Sequence, residues 1–134
     1  MRNPKVVASG IRFSPAADIW IGGLGMPLEF QVDRIDPSGL VIGRNGNVDV
    51  PIGTRFVSVT KERLEGDRLN LMSVDLGVVA EIDLRLIEVH WFRRLIDVIP
   101  RGHSAGLKFD GLGMEAIESA LLQKRDREYV LIRA

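Results

Sequence analysis

The feature of the sequence that most constrains the fold is a strict alternation of apolar and charged residues over residues 80–86, which read Ala-Glu-Ile-Asp-Leu-Arg-Leu. Successive side chains of a β-strand point to opposite faces, so this pattern predicts a strand with one buried and one solvent-facing side. The alternation then changes parity through Ile87, Val89 and Trp91. A slip of one residue predicts a β-bulge or a bend in the same strand.

Turn signals divide the rest of the chain into further short strands. Residues 28–32 alternate and lead into Asp-Pro-Ser-Gly at residues 36–39, which predicts a strand followed by a tight reversal. Asn45-Gly46 lies between the β-favouring residues 40–44 and 47–50. Both residues tolerate the positive φ of a type I′ turn, so a hairpin is predicted there.

A second hairpin is predicted around Glu65-Gly66-Asp67, between strands at residues 56–60 and 69–71. Strands are also predicted at residues 107–111 and 129–132. Residues 114–124 have apolar side chains at helical spacing, with acidic residues early and basic residues late, which predicts one short helix.

These elements predict an all-β fold with one short helix, arranged as a closed antiparallel β-barrel. The length of 134 residues suits one domain. We assign residues 26–134 to the barrel and residues 1–25 to an N-terminal extension that packs on it. No stretch has the roughly 20 consecutive apolar residues that a membrane-spanning helix needs, and no secretory signal is evident, so a cytoplasmic protein is expected.

Charge and composition limit the chemistry. Eighteen basic residues balance eighteen acidic ones, so the chain has no global positive field, and any contact with nucleic acid has to be local. The chain has no cysteine and two histidines, His90 and His103, which lie in no metal-ligand spacing. The glycines form neither a P-loop nor a dinucleotide-binding turn. We expect no metal and no cofactor.

One local cluster combines basic and aromatic residues. Arg93, Arg94, Arg101 and Lys108 lie close in sequence to His90, Trp91, Phe92 and His103. Such a combination contacts phosphates and stacks on bases. The alternative is a solvated charged edge in which Trp91 and Phe92 belong to the core.

Residues 102–106 read Gly-His-Ser-Ala-Gly, the G-x-S-x-G pattern of the hydrolase nucleophile elbow. That chemistry needs Ser104 on a sharp strand-to-helix turn and a histidine later in the chain. No histidine follows Ser104, and a strand is predicted directly after it. We therefore expect a protein that is not an enzyme. A serine hydrolase is less favoured than an RNA-binding or a protein-binding module.

The same region resembles the second, β-barrel domain of elongation factor Tu and related translational GTPases. Residues 91–97 read Trp-Phe-Arg-Arg-Leu-Ile-Asp and are similar to the family's apolar residue followed by Phe-Arg-Lys-Leu-Leu-Asp. Glycines at 102, 106 and 111 and the acidic turn near Glu115 continue the likeness without a gap to Glu118. Residues 39–44 resemble the family's Gly-Thr-Val-Val-Thr-Gly-Arg hairpin. The likeness covers about Phe30 to Ala120.

The resemblance implies a closed antiparallel barrel that binds the aminoacylated end of transfer RNA, with Arg93 in the place of the arginine that contacts the terminal adenosine. His90 stands where the family has a glutamate, and Ser104 where it has an asparagine. The candidate binding residues are Arg93, His90, Trp91, Ser104 and Arg94, and the expected partner is RNA or a translation-related protein. The alternative is a module that docks on protein or self-associates through Trp20, Trp91 or residues 76–79.

Overall fold

The computed structural model describes residues 28–46 and 48–134, and strands predominate in them. The extension predicted for residues 1–25, including Trp20, lies outside the described residues. The strands are β1 (Glu29–Ile35), β2 (Val41–Asn45), β3 (Val50–Pro51), β4 (Arg55–Glu65), β5 (Met72–Trp91), β6 (Arg94–Ile96), β7 (Val98–Ile99), β8 (Ser104–Leu112) and β9 (Glu128–Arg133). In this part of the chain one helix, α1 (Met114–Gln123), connects β8 to β9. The mostly-β class with a short helix is confirmed.

Seven strands form one antiparallel sheet in the order β4-β9-β1-β2-β8-β5-β6, and β4 also pairs with β5. The short strands β3 and β7 pair with each other. The strand predicted near the C-terminus, β9, lies between β1 and β4. Strands distant in sequence are therefore neighbours in the sheet, and most of the pairing is non-local.

The core is a single apolar cluster to which most strands contribute. Its fully buried members include Phe30, Val41, Phe56, Leu84, Leu86, Leu107 and Ile132. Helix α1 packs Ile117 and Ala120 against this cluster, as its predicted apolar stripe requires. The rings of Phe56 and Phe109 meet edge to face at 5.6 Å.

The predicted bulge in β5 is confirmed. Leu84 and Leu86 are fully buried, and the next fully buried residue is Val89, which breaks the period of two. The pairing of β5 with β8 shifts between Leu86 and Glu88, so Ile87 is the extra residue. The bulge reverses the parity of the strand, and Glu88 takes the solvent-facing side on which His90 also lies.

The hairpin predicted at Asn45-Gly46 is wrong. Asn45 ends β2, which pairs with β1 and β8, and the strand that follows, β3, pairs with β7 instead. The turn preference of Asn-Gly is local, and the pairing of β2 on both edges overrides it. The buried Asn45 amide donates hydrogen bonds to backbone carbonyl groups instead.

The second predicted hairpin is confirmed in position, because β4 and β5 are joined around Gly66, and Glu65 pairs with Met72. The strand predicted at residues 69–71 is wrong. The Asp67 carboxylate accepts hydrogen bonds from the backbone N–H groups of Leu69 and Asn70, which folds these residues into the connecting loop.

Candidate functional site

A two-residue turn between β5 and β6 carries most of the predicted site residues. Trp91 pairs with Arg94 across this turn, and the central residues Phe92 and Arg93 have φ angles of 49° and 64°. Positive φ at both central positions is the type I′ arrangement, the one that suits the twist of an antiparallel hairpin. The side chain of Phe92 is 77% exposed, and Arg93 and Arg94 are also exposed. Phe92 therefore does not belong to the core.

Phe92 and Arg93 do not favour the backbone conformation that this turn requires. Asn-Gly is the preferred pair in a type I′ turn, since the left-handed region costs other L-residues roughly 1–2 kcal/mol each. The indole N–H of Trp91 is buried without a hydrogen-bond partner among the described residues, which is a further cost at the same hairpin. Backbone strain of this kind concentrates at functional sites.

The aromatic residues of the turn meet edge to face, and Trp91 also contacts a neighbouring loop. The rings of Trp91 and Phe92 lie 4.7 Å apart, and the ring of Trp91 meets that of His103 at 5.6 Å and 75°. His103 and Arg101 are both exposed on residues 100–103, the loop that leads into β8. The loop and the turn therefore form one surface that combines aromatic and basic side chains.

Asn45 anchors that loop. Its side-chain amide is buried and donates hydrogen bonds to the carbonyl oxygens of Ile99 at 2.9 Å and Pro100 at 3.2 Å. Its backbone N–H donates to the carbonyl of His103 at 2.8 Å. Sequence reasoning missed this role, because no local pattern marks an amide that is buried by contacts 54 residues away.

A groove of about 340 Å³ lies beside the turn on the outer face of the sheet. Its polar side chains are those of Ser38, Glu88, His90 and Lys108, and Leu40, Phe109 and Met114 supply apolar surface. The Nε2 atom of His90 lies 2.9 Å from Oε1 of Glu88. The groove has a volume suited to one planar heterocycle or a small side chain.

The turn between β1 and β2 forms one wall of this groove. The Asp36 carboxylate accepts hydrogen bonds from the hydroxyl of Ser38 at 2.6 Å and from its backbone N–H at 2.9 Å. A third comes from the backbone N–H of Leu40 at 3.0 Å. These bonds, that from the Ser38 hydroxyl foremost, hold the pKa of Asp36 below its usual value. The turn that places Ser38 and Leu40 in the groove is thus fixed by an ionised carboxylate.

The structure brings the five predicted residues together. Arg93, Trp91, His90 and Arg94 lie on the β5–β6 hairpin, and Ser104 begins β8, which runs antiparallel beside β5. His90 pairs with Gly106, and the two strands are antiparallel. Ser104, two residues before Gly106, therefore lies nearer to the β5–β6 turn.

Two further residues of this surface were not predicted. Arg44 of β2 is exposed and lies directly opposite Ser104, and Glu88 lies in the groove with His90.

The charge of this surface differs from that of the whole chain. Between residues 90 and 108 the sequence has four arginine or lysine residues and one acid, Asp97, whereas the chain has a net charge of zero. Arg44 adds a further basic residue, and the acids beside the surface are Glu88 in the groove and Asp49, which accepts a hydrogen bond from the backbone N–H of Arg101. Within residues 28–46 and 48–134, no group of His, Asp and Glu side chains is arranged to hold a metal ion. The site is a local basic and aromatic surface.

Ser104 does not have the geometry of a nucleophile elbow. It begins the nine-residue strand β8, and helix α1 starts only at Met114, after that strand has ended. The elbow requires the serine at the junction itself.

Comparisons of the chain with protein families, with curated proteins and with solved structures give no match. The likeness to elongation factor Tu therefore stays a prediction. Among the described residues, no helix has the length and apolar character needed to cross a bilayer.

Proposed function

We propose that this chain is a non-enzymatic module that binds single-stranded RNA, with the β5–β6 turn and the adjoining groove as its binding surface. In this proposal Phe92 stacks on a base, Arg93, Arg94 and Arg101 contact phosphates, and a second base enters the groove beside His90. Aromatic platforms with nearby cations are the usual means of holding single strands.

The observation that carries the proposal is the exposure of Phe92 and Arg93 at positive φ. Neither side chain contributes to the core, and an Asn-Gly pair would relieve the backbone. A bulky aromatic and a cation in this position are explained by contact with a ligand. The flat face of a base can stack on the ring of Phe92, and the negative charge of a phosphate can pair with the Arg93 guanidinium.

We further infer that the sheet is a closed barrel of the translation-factor second-domain type. The pairing of β4 with β5 joins the first strand of the order to β5, since each strand from β4 through β9, β1, β2 and β8 to β5 then has at least two neighbours. This arrangement supports the resemblance to elongation factor Tu. The expected partner is the acceptor end of transfer RNA, which would place the protein in the cytoplasm.

Titration of the full chain with a labelled single-stranded RNA ending in CCA, at two salt concentrations, tests the proposal. We expect affinity to fall steeply with salt. We expect Arg93→Ala to weaken binding about tenfold and to reduce the slope of log affinity against log salt by about 0.7, the value for one phosphate contact to a single strand.

Arg68→Ala is the matched control for this titration. Arg68 is exposed in the loop before β5, at the opposite end of that strand from the turn, and its removal changes the net charge equally. The RNA proposal fails if binding is insensitive to salt or if both variants weaken it to the same extent. An RNA of the same length without the CCA end shows whether the acceptor end is recognised.

One observation favours a second candidate function, self-association through a sheet edge. Between Met72 and Glu81, β5 pairs with β4 alone among the described residues, and Val78 and Val79 are exposed there. Unpaired edges with apolar side chains recruit further strands. Light scattering of the wild type and of Val78→Lys tests this, with Leu122→Lys, an exposed apolar position on helix α1 rather than on a strand, as control. A wild-type monomer would exclude this candidate.

A further inference from the structure

The groove beside the turn contains a carboxylate and an ammonium group that do not neutralise each other. We propose that Glu88 and Lys108 select a guanine of the bound RNA that lies outside its CCA end, which contains no guanine, an inference that rests on the proposed function. Glu88 accepts hydrogen bonds from the base, and Lys108 donates one.

The bulge in β5 creates this arrangement. Leu86 pairs with Phe109 and Glu88 pairs with Lys108, because Ile87 is the extra residue between them. Without the bulge, residue 88 would keep the parity of Leu84 and Leu86 and point into the core. Bulges commonly redirect side chains in this way next to functional sites.

Opposite charges placed directly across two strands ordinarily form an ion pair, since their Cβ atoms lie about 5 Å apart. Glu88 and Lys108 form none, although both line the groove. Oε1 of Glu88 instead lies 2.9 Å from Nε2 of His90. Each carboxylate oxygen accepts more than one hydrogen bond, so Oε2 and the second lone pair of Oε1 remain for a ligand.

Guanine matches these two groups better than the other bases. On its Watson–Crick edge N1–H and N2–H lie side by side, which suits the two oxygens of the Glu88 carboxylate. The O6 acceptor is adjacent, and lysine is a common donor to guanine O6. Adenine, cytosine and uracil each offer a single donor position on that edge, so they leave one carboxylate oxygen without a partner. The apolar side chains of Leu40 and Met114 provide contact for the purine ring.

Four uracil-rich RNA heptamers that differ at the central base alone, measured by fluorescence anisotropy with the full chain, test this assignment. We expect the guanine heptamer to bind about tenfold more tightly than the uracil heptamer. Glu88→Gln should abolish this preference, so that the guanine and uracil heptamers bind with similar affinity, and Lys108→Gln should reduce the preference. Glu81→Gln, the same chemical change at an exposed position of β5, is the matched control and should keep it.

The outcomes separate the two proposals. Equal affinity for all four heptamers, with binding still lost in Arg93→Ala, overturns the guanine assignment and leaves the RNA proposal standing. A guanine preference that survives in Glu88→Gln also overturns the assignment, because the selecting group then lies elsewhere. Absence of binding to every heptamer overturns both.

Discussion

The side-chain amide of Asn45, at the end of β2, donates a hydrogen bond of 2.9 Å to the carbonyl oxygen of Ile99, 54 residues later in the chain. The same nitrogen lies 2.8 Å from the carbonyl oxygen of Val48. This one buried amide therefore joins β2 to the loop that bears Arg101 and His103. The position of Arg101 and His103 therefore depends on the hydrogen bonds that the buried Asn45 amide donates to Ile99 and Pro100.

Asn45→Ala should lower the free energy of unfolding by about 1–3 kcal/mol, because it leaves buried carbonyl groups without a donor. We expect RNA affinity to fall in parallel, since the loop beside Trp91 loses its anchor. Urea unfolding and the RNA titration measure the two effects. Asn70→Ala, in the exposed loop before β5, is the control and should change neither. Unchanged stability of Asn45→Ala would show that the amide is not an anchor.

The β5–β6 turn should be stabilised by the residues that its backbone favours. We expect the double variant Phe92→Asn, Arg93→Gly to raise the free energy of unfolding by about 1 kcal/mol, because both residues then tolerate positive φ. It should also lose RNA binding, because the stacking ring and the cation are gone. Urea unfolding and anisotropy report the two effects on the same sample.

Arg127→Gly is a suitable comparison for that double variant. Arg127 also has a positive φ, of 66°, and precedes β9 rather than the turn. Its guanidinium donates to the carbonyl of Gly66, so its replacement should stabilise less, and RNA binding should stay unchanged. A double variant that is less stable than the wild type would mean that Phe92 and Arg93 support the fold, which would remove the main support for a binding role.

The sequence predicted the elements whose burial follows a short period. The alternation over residues 80–86 and the change of parity at Ile87 are both set by neighbouring residues, and the structure has the strand and its bulge. The hairpin at Asn45-Gly46 was wrong because strand pairing is decided by distant segments. β2 is flanked by β1 and β8, which the turn preference of two residues could not indicate.

The residues of the candidate site also differ in whether the sequence could predict them. Trp91, Arg93 and Arg94 are close in sequence and share one hairpin, so a cluster in the sequence became a surface in the structure. Arg44 and Asn45 come from β2 and reach that surface only through the pairing of β2 with β8. A single sequence does not encode that pairing in any local pattern.

Gly43 should tolerate no side chain. A Cβ built at this position overlaps the carbonyl oxygen of Gln31 on β1 and lies 2.7 Å from the ring of Phe30. Because a backbone atom cannot move aside cheaply, Gly43→Ala should lower the free energy of unfolding by about 3 kcal/mol, at the upper end of overpacking costs. Gly53→Ala, with positive φ but no atom within 4 Å, should cost about 1 kcal/mol. Equal midpoints of urea unfolding for the two variants would contradict this order.

Acid should weaken the wall of the groove through Asp36. The hydrogen bonds from Ser38 and Leu40 lower the pKa of this carboxyl in the folded state, so the folded state binds fewer protons than the unfolded chain. Its contribution to stability is therefore complete well above about pH 4, the usual pKa of aspartate, and is lost as the pH falls through the folded-state value. Asp36→Asn, which does not titrate, should be less stable at neutral pH and should lose less stability between about pH 5 and pH 2. Ser38→Ala should lie between this variant and the wild type. Chemical unfolding at each pH measures the difference, and parallel pH profiles for Asp36→Asn and the wild type would contradict the assignment.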